Sequence, residues 1–587
     1  MKTGSITEFF TGRRRAIPGR VSENLEANMA AEMTVGDYLL HRLAEAGVST
    51  LFGVPGDYNL AFLDHVIADE RITWTGSANE LNAAYAADGY ARVNGVGALL
   101  TTYGVGELSA INGIAGSYAE YLPVLHIVGA PSTSAQAAGA LNHHTLGDGD
   151  YGHFARAQAE VTVAQAYLTR GNAAAEIDRV IATSLRERRP GYIAIPTDVA
   201  AAPIDPPAAP LVVPAADTSA RVLRDFLADA RRLLEGADSA TVLADFLADR
   251  FDARGELRAL CDAGNFPQAT LSLGKGVLDE SDPRFVGVYT GGVGDARVRA
   301  AVEQADVLIA AGVRFTDTIT AGFSHDIDPA RMIDLQPFSA SIGERRYAPL
   351  PLGAALEGLA DLAASLGRDW SRSPAPAPET VSDAAADTAA LDGELGQADL
   401  WRAVRGFLRP GDIVVAEQGT AFFGACTVPL PSGATFIGQP LWGSIGFTLP
   451  AAFGAQHAAP DRRVVLLIGD GSALLTAQEI GSMVRDGQQP VIVVINNDGY
   501  TVERAIHGPH ERYNDIPKWD WTLVPRAMGA GTDALTLRAT TPGEFAEALA
   551  AADSADRLAL VEAVLPKLGL PDLLNGVSAA IAEANAE

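Results

Sequence analysis

The chain has 587 residues, enough for three or four domains of about 150 residues each. Its formal net charge of −28 argues against nucleic acid or an anionic membrane surface as a partner, and no uninterrupted apolar stretch reaches the length of a membrane span. The two cysteines, Cys261 and Cys426, lie far apart, so neither a disulfide framework nor a cysteine metal site is expected. A reducing, cytoplasmic setting fits this composition.

Residues 1–32 differ from the rest of the chain. They contain Arg13, Arg14 and Arg15 but no apolar segment, so they do not have the pattern of a secretory signal. The glutamates in the same stretch are unlike a transit peptide. We expect a disordered extension, with Met29 or Met33 as an alternative start.

Residues 33–205 alternate short apolar runs with helical stretches, a pattern typical of α/β units with a mostly parallel sheet. The predicted strands are 50–54, 72–75, 98–102, 124–128 and 192–195. A second α/β unit is expected at 215–370, after a connector rich in Pro and Ala. It contains a strand at 307–311 and the glycine cluster 291–294, which lacks a full dinucleotide-binding pattern and is interpreted as structural or regulatory.

A linker rich in Ala, Pro, Ser and Asp is predicted at 371–395, a third unit at 396–570 and a terminal helix at 571–587. The third unit contains two apolar runs, 464–468 and 491–495, that predict neighbouring parallel strands of a β-α-β unit. Between them we expect one helix, with Thr476 and Glu479 spaced as a capping box and Gly487 at its end.

Each of these two strands ends in turn residues: Gly469-Asp470-Gly471 after the first, and Asn496-Asn497-Asp498-Gly499 after the second. Asp470 and Asn497 should therefore lie side by side at the carboxyl edge of the sheet, where open α/β sheets bind ligands. Oxygen ligands suit Mg²⁺, and the glycines allow a diphosphate to approach the backbone.

Five more residues have polar side chains in positions with ordinary explanations. Glu80 begins a helix and could simply complement its dipole, while Asp57 lies in a Pro/Gly turn and could cap the backbone. His143 and His144 are adjacent in a glycine-flanked loop, but no cysteine or third histidine at suitable spacing supports a zinc site. Glu503, taken alone, is typical of a surface glutamate.

Together these motifs resemble the thiamin diphosphate (ThDP) enzymes, and in particular the 2-keto acid decarboxylases related to pyruvate decarboxylase, over nearly all of residues 34–570. The GDG and NN segments match the ThDP motif, and the tract with adjacent histidines separates this group from the acetohydroxyacid synthases. The resemblance implies three doubly wound α/β domains with parallel sheets: pyrimidine-binding, middle and diphosphate-binding.

The resemblance also implies site residues. Asp470, Asn497 and the Gly499 carbonyl would hold Mg²⁺, and Glu80 would pair with the aminopyrimidine of the cofactor. The remaining implied cofactor contacts are Thr420, Gly443, Ile445, Gly471 and Ser472, with Ile445 supporting the bent cofactor. The implied catalytic set is Glu80, Asp57, His143, His144 and Glu503, which relays protons. The implied substrate pocket is Gln418, Phe422, Phe423, Val502, Val577 and Ile581.

The expected reaction is non-oxidative decarboxylation of a 2-keto acid to an aldehyde and CO₂. The tracts around Gln418 and Trp442 look closer to enzymes for branched-chain, phenylpyruvate and indolepyruvate substrates. A pyruvate-selective enzyme, a carboligase of the acetolactate synthase type and a ThDP-binding sensor are the alternatives. The resemblance further implies a homo-oligomer, a dimer or dimer of dimers, with each active site between subunits.

Overall fold

The computed structural model describes residues 33–371 and 391–586. The predicted extension at 1–32 and most of the predicted linker at 371–395 lie outside the described residues. Three α/β units follow one another along the chain, each built around one sheet. This architecture confirms the predicted fold class, whereas the exact limits of the domains remain predictions.

The first sheet has six parallel strands in the order β2-β1-β3-β4-β6-β5. The strands are β1 (Thr50–Gly53), β2 (Thr73–Gly76), β3 (Gly97–Thr102), β4 (Val124–Ala130), β5 (Ala164–Tyr167) and β6 (Gly191–Pro196). Five of them lie where the apolar runs predicted strands. The sequence did not reveal β5, because this edge strand buries only alternate residues and has no continuous apolar run.

The second sheet has seven strands in the order β13-β12-β11-β10-β7-β8-β9. They are β7 (Ala240–Ala244), β8 (Gln268–Leu271), β9 (Phe285–Tyr289), β10 (Val307–Ala311), β11 (Met332–Gln336), β12 (Ser339–Ile342) and β13 (Arg345–Tyr347). Strands β7 to β11 are parallel, but β12 and β13 pair antiparallel at one edge. The reason is that the short connection after β11 allows a hairpin and leaves no room for a crossover helix.

The third sheet has six parallel strands in the order β15-β14-β16-β17-β19-β18. They are β14 (Ile413–Ala416), β15 (Thr435–Ile437), β16 (Val464–Gly469), β17 (Val491–Asn496), β18 (Leu535–Ala539) and β19 (Ala559–Val564). The two strands predicted from the GDG and NN segments, β16 and β17, are parallel neighbours, as expected.

Helices connect the strands and cover the sheets. They are α1 (Val35–Glu45), α2 (Leu60–Ala68), α3 (Glu80–Asn94), α4 (Val105–Ala119), α5 (Thr133–Ala137), α6 (His153–Gln158), α7 (Ala173–Glu187), α8 (Thr197–Ala200), α9 (Ala220–Glu235), α10 (Phe246–Arg250), α11 (Arg254–Gly264), α12 (Ala296–Glu303), α13 (Leu352–Leu366), α14 (Gln397–Phe407), α15 (Thr420–Cys426), α16 (Thr448–Ala458), α17 (Asp470–Thr476), α18 (Glu479–Arg485), α19 (Thr501–Ile506), α20 (Pro542–Asp553) and α21 (Asp572–Ala586). Within residues 33–371 and 391–586, none of these helices combines the length and the apolar character needed to cross a bilayer.

One apolar core joins the first and third units. It contains α3 from the first unit and α16 from the third, together with inward-facing residues of both sheets. The two helices approach closely at glycines: a Cβ on Gly454 would lie 1.9 Å from the Ala86 carbonyl oxygen, and one on Gly89 would lie 2.2 Å from that of Ala451. Glycine is therefore required at this crossing, and the helix that begins at Glu80 is packed directly against the third unit.

Candidate active site

The carboxyl ends of β16 and β17 bring three oxygen atoms together. Asp470 follows β16 and Asn497 follows β17, and the two strands are paired up to Gly469 and Ile495. The side-chain oxygen of Asn497 lies 3.2 Å from Asp470 Oδ1 and 2.9 Å from the Gly499 carbonyl oxygen. Such a group of acceptors needs a donor or a cation between its members. Turning the Asn497 amide over would supply a donor, and a hard divalent cation would accept all three oxygens as they stand.

The loop after β17 is held by Arg504, which the sequence analysis did not single out. Its buried guanidinium donates to the carbonyl oxygens of Asn497, Asp498 and Asn514 at 3.2, 2.6 and 3.0 Å. Gly499 has a φ of 128°, and a Cβ there would lie 2.2 Å from the Asn514 carbonyl oxygen. The glycine and the arginine together keep the Gly499 carbonyl beside the acidic residue.

Asp470 is 3% exposed, and its burial raises the pKa of the carboxyl to about 7. The N–H groups of Gly471 and Gly499 donate to its two oxygens at 2.8 and 3.2 Å and oppose this shift. Bound divalent metal would favour the ionised carboxylate and restore a low pKa. The oxygen-only ligands, their spacing and this burial all fit a Mg²⁺ site.

A cavity of about 350 Å³ opens above these oxygens. Most of the predicted site residues of the third unit line it, namely Gln418, Thr420, Phe423, Gly443, Ile445, Asp470, Gly471, Ser472, Asn497, Gly499, Val502, Glu503, Val577 and Ile581. Its far end is apolar, because residues of α15, α19 and the terminal helix α21 meet there.

Phe422, which was predicted to line the substrate pocket, does not line this cavity among the described residues. It lies behind Phe423 and packs against Phe436, fully buried in the core. In a helix, neighbouring residues point in directions about 100° apart, and here the Phe422 ring is directed toward Phe436 while Phe423 faces the cavity.

The sequence analysis also missed residues that line the cavity. They include Thr318, Trp442, Ile506, Leu574 and Ser578. Ile506, Leu574 and Ser578 lie one helical turn from predicted residues and could have been found from that spacing. No sequence signal pointed to Thr318, which reaches the cavity from the second unit.

Ile445 lies in a loop that is held in place by the first unit on one side and by its own unit on the other. Ser444 Oγ is 2.6 Å from the Tyr85 hydroxyl and accepts a hydrogen bond from Asn112 Nδ2 at 3.0 Å. Tyr85 is on α3 and Asn112 is on α4, so the first unit fixes one side of the loop.

Glu417 fixes the other side of the same loop. Its Oε2 accepts from the Gly446 N–H at 3.2 Å and from the Thr448 hydroxyl at 2.7 Å, while Thr476 donates to the Gly446 carbonyl at 2.7 Å. Burial raises the pKa of Glu417 to about 7. Ile445 therefore stands between two anchored residues and is presented to the cavity on a rigid loop.

Asp57, His143 and His144 form a second group on the first unit. His143 Nε2 lies 2.8 Å from Asp57 Oδ2, and His144 Nδ1 lies 3.9 Å from Asp57 Oδ1. Although 86 residues separate Asp57 from His143 in the chain, the strand edges of one sheet bring them together, whereas Glu503, predicted to act with them, lines the cavity of the third unit. Asp57 and the two histidines are all at least partly accessible in the single chain.

Glu80 is half-buried at the start of α3, whose N-terminus is capped by the Asn79 side chain. Its carboxylate faces the first turn of α4, since a Cβ on Gly106 would lie 3.2 Å from Glu80 Oε1. In the described part of the chain, neither Glu80 nor the group of Asp57 and the histidines lines the cavity above Asp470. One chain therefore presents some of the predicted site residues away from the cavity above Asp470.

The predicted capping box between Thr476 and Glu479 is wrong. The segment forms two short helices, α17 and α18, and Glu479 is fully buried instead of capping a helix. Its Oε2 accepts hydrogen bonds from Asn82 Nδ2 at 2.8 Å and from the Ala78 N–H at 3.2 Å. Glu479 thus binds the first turn of α3, the turn that carries Glu80, because a tertiary partner outcompetes the local cap.

Comparisons with known proteins identify the family of this chain. Models of the N-terminal, central and C-terminal domains of thiamine pyrophosphate enzymes match residues 33–151, 227–362 and 420–563. The alpha-keto-acid decarboxylases of Mycobacterium ulcerans and Mycobacterium avium are each 54% identical to this chain, over 92% of it and 95% of their own length.

Among solved structures, the thiamine diphosphate-dependent 4-hydroxybenzoylformate decarboxylase of Rhodococcus jostii RHA1 superimposes with a TM-score of 0.74 over 92% of this chain and all of its own, at 24% identity. At that identity the likeness concerns the fold. The relatives confirm the resemblance drawn from the motifs, and the chain belongs to the thiamine pyrophosphate enzymes, within the α-keto-acid decarboxylase family.

Proposed function

We propose that this protein decarboxylates a 2-keto acid with a branched-chain or aromatic side group to an aldehyde and CO₂, using ThDP and Mg²⁺. The observation that supports this most directly is the convergence of Asp470, Asn497 and Gly499 oxygens beneath a cavity whose far end is apolar. The enzyme acts in a cytoplasmic setting, consistent with its two buried, unpaired cysteines.

Mg²⁺ would be held by Asp470, Asn497 and the Gly499 carbonyl, and Gly471 and Ser472 would lie against the diphosphate. A Cβ on Gly471 would be 2.7 Å from the Tyr500 ring, so glycine keeps this wall of the cavity open. When bound, the cofactor supplies a nucleophilic carbon and an electron sink for the bond to the departing carboxylate. Ile445, on its anchored loop, would orient the cofactor.

The substrate side group would lie against Phe423, Val502, Val577 and Ile581. These apolar side chains come from three different helices and present no charge to the bound molecule. Differences of one or two methylenes in such a wall change discrimination by only about 1–3 kcal/mol. We therefore expect the enzyme to prefer larger keto acids over pyruvate and to keep residual activity on pyruvate.

Protons would be handled by Glu80, Glu503 and the group of Asp57 and the two histidines. Glu503 lines the cavity, whereas Glu80 and the histidine group lie elsewhere on the same chain. A second copy of the chain would bring its Glu80 and histidines to the cavity, so we propose at least a homodimer with active sites shared between chains.

Steady-state kinetics test the proposal. The metal-free protein, reloaded with Mg²⁺ and ThDP, should release CO₂ and aldehyde from 2-ketoisovalerate, phenylpyruvate and indolepyruvate with higher kcat/KM than from pyruvate. A pyruvate preference would favour the pyruvate-selective alternative, and acyloin as the main product from one keto acid would favour the carboligase. Unchanged activity after complete removal of ThDP would refute the proposal.

A further inference from the structure

Asp57, His143 and His144 also have the geometry of a transition-metal site. One ligand atom of each residue lies within 4.8 Å of the others, and no other group of three such residues does so in the described part of the chain. Two imidazoles and one carboxylate are the protein ligands of many catalytic zinc sites, which leave one position open. The sequence offered two adjacent histidines without a third ligand, and the tertiary structure supplies it as Asp57.

Hydrogen bonds within the cluster leave one of its three ligand atoms without a partner. His144 Nδ1 is buried and has no hydrogen-bond partner among the described residues. It lies 3.9 Å from Asp57 Oδ1, too far for a hydrogen bond. Ligands of a tetrahedral Zn²⁺ with bonds of 2.0–2.1 Å lie about 3.3 Å apart. His144 Nδ1 and Asp57 Oδ1 would therefore have to move only slightly closer together to bind the ion. His143 Nε2 lies 2.8 Å from Asp57 Oδ2 and would have to move slightly farther away.

The surroundings of the cluster match those of bound metals. The Tyr58 hydroxyl lies 3.3 Å from His143 Nδ1, and the two rings stack with centroids 5.0 Å apart. Occupation of Nδ1 leaves Nε2 of His143 free to face Asp57, as in metal-bound histidines with a second hydrogen-bonded partner. His144 has a φ of 63°, an uncommon conformation for a non-glycine residue, which orients the two neighbouring rings toward one carboxylate.

We propose that Asp57, His143 and His144 bind Zn²⁺ as three protein ligands with an open fourth position, separately from the Mg²⁺ site. Because these side chains belong to the proposed proton relay, bound Zn²⁺ would inhibit the enzyme reversibly; this consequence, unlike the binding itself, rests on the proposed function. Imidazole nitrogens discriminate in favour of Zn²⁺ over Mg²⁺, which prefers oxygen ligands.

Binding is measured on the holoenzyme, with excess Mg²⁺ and ThDP to occupy the oxygen site. Titration calorimetry with Zn²⁺ should give one site per chain. Co²⁺ added in place of Zn²⁺ should give the intense visible absorption of a four-coordinate nitrogen and oxygen site, which six-coordinate Co²⁺ at an oxygen site lacks. Asp57→Asn and His144→Gln should abolish both signals, and Tyr58→Phe should weaken binding by about ten- to a hundredfold.

His153→Gln is the matched control. His153 lies in the same region and contacts the carboxylate of Asp148 at 2.7 Å, but it is outside the three-residue cluster. This variant should bind Zn²⁺ like the unaltered protein, and circular dichroism verifies that every variant is folded.

Zn²⁺ binding that survives His144→Gln, or that Mg²⁺ displaces, would overturn the proposal. Inhibition is measured separately: Zn²⁺ should block aldehyde formation and a chelator should restore it. A protein that binds Zn²⁺ as described but has no decarboxylase activity would refute the proposed function and leave the metal site standing.

Discussion

At the scale of single residues, Glu80 is the clearest test of the proposed chemistry. Replacement by Gln keeps the size and the helix start but removes the group that exchanges a proton with the cofactor. We expect kcat to fall by about a hundred- to ten-thousandfold, the range of general acid–base catalysis, with the melting temperature nearly unchanged. The exposed Glu70, changed to Gln, is the control and should keep full activity. Near-native turnover in folded, cofactor-saturated Glu80→Gln would exclude this role.

Glu107 makes a second prediction at this scale, one about pH. It is fully buried on α4, accepts hydrogen bonds from the Gly104 N–H at 2.8 Å and the Tyr192 hydroxyl at 2.9 Å, and burial raises its pKa from 4.5 to about 7. Because the pKa is higher in the folded than in the unfolded protein, folding is favoured when Glu107 is protonated. This contribution is complete below pH 4.5 and is lost as the pH rises to about 7.

Glu107→Gln should therefore remove that dependence. Relative to the unaltered protein, the free energy of unfolding of the variant should be higher by up to about 3 kcal/mol at pH 8 and nearly the same at pH 4.5. Melting temperatures of the two proteins across this range provide the measurement. A difference in melting temperature between the two proteins that is the same at every pH would contradict the prediction. It would mean that Glu107 has the same protonation state in the folded and the unfolded protein.

At the scale of elements, the junction between α18 and α3 is the contact that matters most for the site. Glu479 Oε1 and Asn82 Oδ1 are both buried without a donor among the residues described, although the two side chains share one hydrogen bond. Burial also raises the pKa of Glu479, while its contacts with Asn82, Ser482 and Arg485 oppose the shift. A proton on Glu479 would provide the missing donor, so we expect the neutral acid at this junction.

Glutamine supplies the same donor and acceptor as a protonated glutamate. Glu479→Gln should therefore keep the melting temperature and kcat. Glu479→Ala leaves the Ala78 N–H and Asn82 without a partner, so its free energy of unfolding should fall by about 1–3 kcal/mol. Its kcat should fall as well, because the helix turn that carries Glu80 is no longer held. Thermal melts and kcat of both variants provide the comparison. If the glutamine variant is as impaired as the alanine variant, the charge of Glu479 is required and our assignment is wrong.

At the scale of the whole molecule, the separation of Glu80 from the cavity above Asp470 predicts complementation between chains. Glu80→Gln and Asp470→Ala proteins should each be nearly inactive. After subunit exchange, a hybrid dimer would have one site with both residues intact. Statistical mixing should restore about a quarter of the normal activity per chain. The unmixed variants, assayed at the same total concentration, are the controls, and no recovery despite verified subunit exchange would place each site within one chain.

The sequence alone determined the features that depend on neighbouring residues. Apolar runs and turn residues located five strands of the first sheet and the two central strands β16 and β17 of the third, and one β-α-β unit was enough to place Asp470 beside Asn497. That success has a simple cause, since strand period, turn chemistry and the parallel β-α-β connection are local properties of the chain.

Contacts between distant segments were decided by the tertiary structure. Glu479 does not form the predicted helix cap. It accepts a hydrogen bond from Asn82, which precedes it by 397 residues, because Glu479 is buried against α3. Phe422 turns into the core while Phe423 faces the cavity, and Asp57 joins the histidines to complete a three-ligand cluster. Such pairings depend on how sheets and helices from different units pack, and no local pattern in the sequence encodes them.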